Sequence, residues 1–398
     1  MSQDPKQGVA LKASLDEADR QYLHGDYEAA LTGADAVLRG LEAADAASPT
    51  LQRGALMLRV QSLSKLERFD AMLEACSQVL NLLPLYEASV ERAELMVLMA
   101  FGYVNLGMSE QSLRAAHVAL QDGLQLQNPT LASRALDRTA MAYLSMGDGL
   151  EAERFMVEAV GFSEHLSSAQ ERLSRYSNAL HLFCSLHDAY AEVDRRQMAS
   201  GVLARAARLL GQGDALLVEV DSPHMRCMWR ANQARWRRRR GEREPARVAL
   251  RAVLVESLAQ HWHSIRRSVQ LELALMDAEV GDAASALELL QALFEPAELR
   301  VRDRVALRAL TLMVQLYAAL NQVEQAAQAG EELARRQAER AAAVARAHAQ
   351  LAGLGARILD ALVEADRARV DEEIRRLRDL RAEGGAVGRT WGTAAGLQ

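Results

Sequence analysis

An all-α solenoid of about eight helical hairpins, followed by a long C-terminal helix, is the architecture this sequence predicts. Three observations carry that expectation. Half of the 398 residues are hydrophobic but only 5% are aromatic, and 7 are proline, a mixture rich in Ala, Leu, Arg and Glu that favours helix throughout. No run of alternating Val, Ile or Thr reads as a strand. A pattern of small residue, tight turn and small residue returns along the chain at spacings of 40 to 47 residues, and a fixed period of this length marks a repeat array.

The pattern is plainest from Arg134 to Gly161, where two amphipathic helices face each other across Gly147-Asp148-Gly149. Ala140 and Ala152 let the backbones approach, and Tyr143, Leu144, Phe155 and Met156 fill the seam. The first unit turns at Gly25-Asp26-Tyr27 between Ala18 and Ala30. The second turns at Glu67-Arg68-Phe69, with Pro84 ending its second helix, and the third at Leu106-Gly107 after Ala100 and Tyr103. The fifth turns near Asp194, after Tyr190 and before Ala199. The sixth turns at Gly241 between Ala234 and Ala246, the seventh at Gly281-Asp282, and the eighth at Asn321 between Tyr317 and Ala326. A single hairpin cannot bury its apolar face, so each needs the next, and a small rotation per repeat builds a superhelix with an inner groove. Asp4, Asp16, Glu17 and Asp19 suit the first helix to a terminal, solvent-facing place.

From Gln328 onward no turn residue intervenes, so the second helix of the last repeat is expected to run on. Leu351, Leu354, Ile358, Leu362, Val370, Ile374 and Leu377 recur at three- and four-residue steps, a coiled-coil-like stripe that makes a homodimer through this helix a candidate. Gly353 and Gly355 each weaken a helix by about 1 kcal/mol and mark a kink or break. The expected organisation is a solenoid over 1–333, an extended, weakly coiled-coil-like helix over 334–383, and a Gly-rich disordered tail over 384–398.

The segments GDYEAALTGADAVL, GDGLEAERFMVEAV and GDAASALELLQALF resemble the turn and second helix of tetratricopeptide repeats (TPR), over roughly Leu11 to Leu333. That resemblance implies a right-handed superhelix whose first helices line the groove. The period here exceeds the family's usual value of about 34 residues, the family's Trp position is not kept, and the fifth turn lacks Gly. Long-period arrays of this composition that run into a coiled helix also resemble the sensory halves of bacterial signalling proteins, in some of which a diguanylate cyclase domain follows. No such domain follows in this sequence. The resemblance implies a non-enzymatic scaffold for protein-protein interaction and signal sensing, binding a peptide, a partner segment or a small anionic effector in the groove. Its alternatives are an effector-responsive regulator of one enzyme or transcription factor, or a truncated sensory half of a diguanylate cyclase.

The densest charge lies at Arg235-Trp236-Arg237-Arg238-Arg239-Arg240, followed by Arg243, Arg247 and Arg251. In the groove geometry that the resemblance implies, Arg235, Arg238 and Arg239 point inward, and Arg134 and Arg308 hold groove positions in their own repeats. Asp137, Met141 and His181 complete the candidate binding face. Two readings stay open for the Arg run. Guanidinium forks can bind an acidic peptide, a phosphate or a nucleotide, or the run is a solvated helix end that favours the C-terminal dipole.

Other chemistry is poorly supported. His261 and His263 are two apart and point to different faces of a helix, and His181 and His187 are six apart, so no metal site forms. Cys76, Cys184 and Cys227 have no paired spacing and suit a reducing cytoplasm, and Cys184 and Cys227 read as inert core thiols. The net charge of -6 argues against nucleic acid and anionic membrane. No apolar stretch is long enough to span a bilayer, and the N-terminus lacks the order of a signal peptide. No phosphate loop, nucleophile elbow, zinc-protease helix or dinucleotide fingerprint is present, so neither catalysis nor a cofactor is expected.

Overall fold

The computed structural model describes residues 5–43, 48–84, 87–166, 168–260, 262–295, 303–353 and 375. Among the described residues there are sixteen α-helices, one short 3₁₀ turn at Phe162–His165, and no strand. The helices pair as antiparallel hairpins: α1 (Pro5–His24) with α2 (Tyr27–Ala43), α3 (Pro49–Lys65) with α4 (Phe69–Leu80), and α5 (Val90–Leu106) with α6 (Ser109–Gln125). They continue as α7 (Pro129–Ser145) with α8 (Gly149–Gly161), α9 (Ala169–Glu192) with α10 (Arg196–Leu216), and α11 (Pro223–Arg239) with α12 (Arg243–Ala259). The last are α13 (His263–Glu279) with α14 (Ala283–Leu293), and α15 (Asp303–Ala319) with α16 (Val323–Gly353). The chain forms two compact units. One holds the helices up to Leu131 together with the end of α16 from Ala342, and the other spans Ala132 to Ala341.

All eight expected turns are present, and one local device builds each of them. Gly25, Gly107, Gly147, Gly241 and Gly281 adopt left-handed φ, as do Glu67, Asp194 and Asn321. The amide after each of these residues donates to the carbonyl five residues back: Asp26 to Gln21 at 2.9 Å, Asp148 to Tyr143 at 3.0 Å, Asp282 to Asp277 at 3.0 Å, and likewise at the other five. This bond satisfies a carbonyl that the helix end would otherwise leave unpaired. Where Asp follows Gly, its carboxylate starts the next helix. Asp26 Oδ1 accepts from the Ala29 amide, Asp148 Oδ1 from Glu151 and Asp282 Oδ1 from Ser285, each at 3.1 Å. The Gly-Asp pair thus closes one helix and opens another.

Glu67 carries a side chain where the left-handed backbone favours Gly, at a cost of about 1–2 kcal/mol. Glu67→Gly is therefore expected to raise the urea midpoint by about 0.5–1 kcal/mol of stability, after the entropic penalty of Gly is subtracted. An unchanged midpoint would show that the carboxylate's own contacts offset the strain.

Small residues set the packing distance within hairpins. Ala140 and Ala152 are fully buried, and the rings of Tyr143 and Phe155 stack at 5.2 Å and 13° beside them. In the first unit, Ala18 packs with Ala34 and Leu58, and a Cβ on Gly33 would stand 2.7 Å from the Ala18 Cβ. In the second unit one core gathers Cys227, Ala231, Ala234, Ala246, Leu250 and Val253 with Ile265 and Val269 of α13. A further core joins α13, α14 and α15, with Ala329 and Leu333 of α16 against it.

As expected, α16 passes position 333 without a break. Towards its end, within the first unit, Ala343 and Ala347 are buried and Arg346 Nη2 lies 2.6 Å from Asp70 Oδ2. The stripe residues from Leu354 to Leu377, Gly355, the tail 384–398, Asp4 and His261 lie outside the described residues.

Candidate functional site

The first helices of the second unit, α7, α9, α11 and α13, pack side by side, and polar side chains cross-link them in sequence. Their basis lies in α11. Ser222 accepts from the Met225 amide and Pro223 opens the helix, a start that suits its missing N–H. At the other end Arg237, Arg238 and Arg239 suit the negative pole of the helix. α11 packs against both α9 and α13, so its arginines meet acids on each side.

Glu272 of α13 is the centre of this network. Its Oε1 accepts from Arg238 Nη1 at 2.6 Å and from Arg239 Nη1 at 3.0 Å, while Arg235 Nε stands 3.8 Å from Oε2. Burial alone would raise the Glu272 carboxyl, but Arg239, Arg238 and Arg235 hold it down at about 2. Arg239 also grips Asp188 of α9 with two bonds, Nη2 to Oδ2 at 2.6 Å and Nε to Oδ1 at 2.9 Å, and donates to the Cys184 and Arg235 carbonyls at 3.1 and 3.0 Å. Arg238 reaches Glu279 with its other nitrogen. The side chains of Arg235, Arg238 and Arg239 are only 11%, 13% and 8% exposed.

This differs from the solvated reading of the Arg run. The three arginines are mostly buried between first helices, and Arg238 and Arg239 are held by acids there. Acids from the neighbouring repeats, invisible to a reading of α11 by itself, already neutralise most of their charge. Arg240 and Arg243 remain exposed at the turn, pairing weakly with Glu242 and Glu279.

Arg235 is bound differently from its two neighbours. Its Nη1 donates to Asn232 Oδ1 at 2.7 Å and its Nη2 to Ser268 Oγ, both neutral groups. Asn232 in turn donates to the Ser177 hydroxyl and carbonyl of α9 at 2.9 and 3.1 Å. His181 stands one turn beyond Ser177 on α9, as Arg235 does beyond Asn232 on α11, so His181 and Arg235 occupy adjacent places on the same face. His181, Arg134 and Met141 are half-buried there. Arg308 of α15 holds the same register ahead of its turn as Ser268 and Arg134 hold ahead of theirs. It is exposed and forms no ion pair among the described residues.

Asp137, a further candidate, is withdrawn from the face. It is 1% exposed, and its Oδ2 accepts from Arg175 Nη1 at 2.6 Å and Asn178 Nδ2 at 2.7 Å. Burial would raise its carboxyl, but Arg138 and Arg175 hold it below the ordinary range. Its work is to tie α7 to α9. Reading the sequence missed Glu272, Asp188, Ser268, Asn232 and Arg175. The available signal was their place on first helices at the heights of the arginines they meet.

Elsewhere the chemistry is quiet. Burial pushes the Cys184 thiol up to about 12 and the Cys227 thiol to about 11, which leaves no reactive thiolate at neutral pH. Among the described residues no group of His, Cys, Asp and Glu could hold a metal ion, and no helix is long and apolar enough to cross a membrane. In the first unit a cleft of about 530 Å³ lies over α2, α3 and α4. Its charges are mixed, with Arg59 3.1 Å from Asp35.

No protein-family model matches the sequence, and no curated protein sequence does. Among solved structures, the chain is similar to a Rap protein complexed with Competence and Sporulation Factor, with 17% identity and a TM-score of 0.59 over 86% of this chain and 89% of that one. It is also similar to the apo form of RapI, with 10% identity and a TM-score of 0.52 over 73% of this chain and 98% of that one. The fold is a helical-repeat solenoid of TPR type.

Proposed function

We propose that this chain is a non-enzymatic interaction module that takes up a peptide segment along the first-helix face of its second unit. The observation that carries the reading is the cross-linked polar face itself. Rigid, preorganised groups lose little entropy on binding, and here Asp137, Arg175, Asn232, Arg239 and Glu272 fix four helices while Met141, His181 and Arg308 remain reachable. The similar Rap structure, complexed with Competence and Sporulation Factor, accords with a repeat solenoid of this kind holding a bound factor. A segment bound across several first helices would favour one arrangement of the repeats over others and so alter a partner's access, a population shift without chemistry.

The test uses dodecapeptides selected from a random phage-displayed library on the full chain, then synthesised. Photo-crosslinking residues placed singly at Met141 and His181 are expected to label them, and one at Val157, an exposed position on α8, is not. Labelling from Val157 alone, or a library that yields no binder, would remove this reading.

A further inference from the structure

We infer that the outer face of α12 pairs with α12 of a second copy of this chain, the two helices parallel and in register. The pairing uses a second helix of the second unit and stands apart from peptide uptake on the first-helix face. Its basis is that α12 carries two stripes where a surface helix needs one. Ala246, Leu250 and Val253, followed by Ser257, step by four, three and four residues and are buried; the first three share a core with α11 and α13. Val248, Ala252, Val255 and Ala259 repeat the same steps two residues later, and all four are exposed, Val248 by 66% and Val255 by 68%.

Two residues are about 200° of helix, so the second stripe lies opposite the first. A helix that is apolar on opposite sides belongs between two partners, and among the described residues only one side of α12 is covered. The second helices of the repeats before and after it, α10 and α14, expose no large apolar side chain. The open stripe is therefore a feature of α12 and not the general surface of the repeats.

The stepping and the flanking charges select the occupant. Steps of four and three average about 3.5 residues, the spacing at which two helices keep one seam in contact. Ala252 and Ala259, small residues alternating with the valines, allow close approach. Arg251 and Glu256 stand on opposite flanks of this seam. Arg251 is exposed and has no ion pair among the described residues. Glu256 gives Oε2 to Arg230, and its Oε1 is unengaged among the described residues. Across a parallel pair, flanking residues five positions apart meet, so Arg251 of each copy reaches Glu256 of the other and the bond forms twice. An antiparallel pair sets like flank against like flank, and these two charges miss each other.

α12 is already folded before contact, so little conformational entropy is lost on pairing. Four seam residues from each helix make a small interface, and a dissociation constant of about 1–100 μM is expected.

The test is sedimentation velocity on the full chain between about 1 and 200 μM, across which the mean mass should rise from one chain towards two. Val248→Glu combined with Val255→Glu is expected to raise the dissociation constant about tenfold or more, with unchanged helical circular dichroism because both positions are exposed. Arg251→Glu should weaken the dimer, and adding Glu256→Arg should restore it, a rescue that damage to the fold cannot give. Oxidising a Val255→Cys chain reads the orientation, since parallel helices in register bring the two new thiols together while the native cysteines are buried. A chain that stays monomeric over the whole range overturns the pairing. So does a dimer indifferent to the two glutamates, which would put the contact on another surface. A cross-link that forms only between Val255→Cys and Ala252→Cys chains overturns the parallel register, as does failure of the Glu256→Arg rescue.

Discussion

Replacing Glu272 by Ala is expected to destabilise the protein by about 3–5 kcal/mol, because it leaves buried arginines without their shared acid. The direction follows from the geometry. Arg238, Arg239 and Arg235 converge on this one carboxylate, and their mutual repulsion is unscreened where side chains are about one-tenth exposed. The effect should also depend on pH with a defined sign. The carboxyl titrates at 4.5 in the unfolded chain and at about 2 when folded, so its contribution is complete above the higher value and is lost as pH falls between the two. The urea-midpoint gap between wild type and Glu272→Ala should stay constant from about pH 7 to about pH 5 and close towards pH 2. A gap that persists at low pH would show that Glu272 stabilises by packing and not by charge.

The second large effect is expected at Gly213, where two principles oppose each other. Ala is the better helix former by about 1 kcal/mol, so Gly213→Ala should stabilise α10 if nothing is nearby. A Cβ there, however, would lie closer than 3.0 Å to three ring atoms of Trp229. That ring is fully buried and its Nε1 donates to Asp214 Oδ1 at 2.8 Å, so it cannot swing aside. Overpacking of this kind costs about 1–3 kcal/mol and should win. Gly211 on the same helix is the control, since a Cβ there meets nothing within 4 Å; Gly211→Ala should stabilise by up to about 1 kcal/mol. Thermal midpoints that move in the same direction for both variants would refute the packing argument.

The turns were legible in the sequence because each is a local event. A residue that tolerates left-handed φ, followed by one that can start a helix, is a two-residue signal, and it survived even at Glu67 and Asp194, where Gly is absent. The place of Arg235, Arg238 and Arg239 on a first helix was legible as well. What they would meet was not. Glu272 is 33 to 37 residues away from them in the chain, and its pairing depends on how α13 leans on α11, which no local pattern encodes. Asp137 shows the same limit: its register points to the face, but Arg175 and Asn178 of the next repeat draw it under. The boundary at Leu131 gave no signal either, because α7 runs through it without a change of composition.

First helices α3, α5, α7, α11, α13 and α15 each have 17 residues, whereas α9 has 24. The extra length lies on the turn side. Ser177, seventeen residues ahead of its turn, meets Asn232, which is only nine ahead of its own. Seven residues are close to two helical turns and return the apolar stripe to nearly the same azimuth. The extension of α9 over these first helices is therefore one heptad. A designer can lengthen or trim the overhang that bears Val193 and Asp194 by a heptad and keep every buried side chain facing its partner, whereas a cut of five residues would rotate the stripe into solvent.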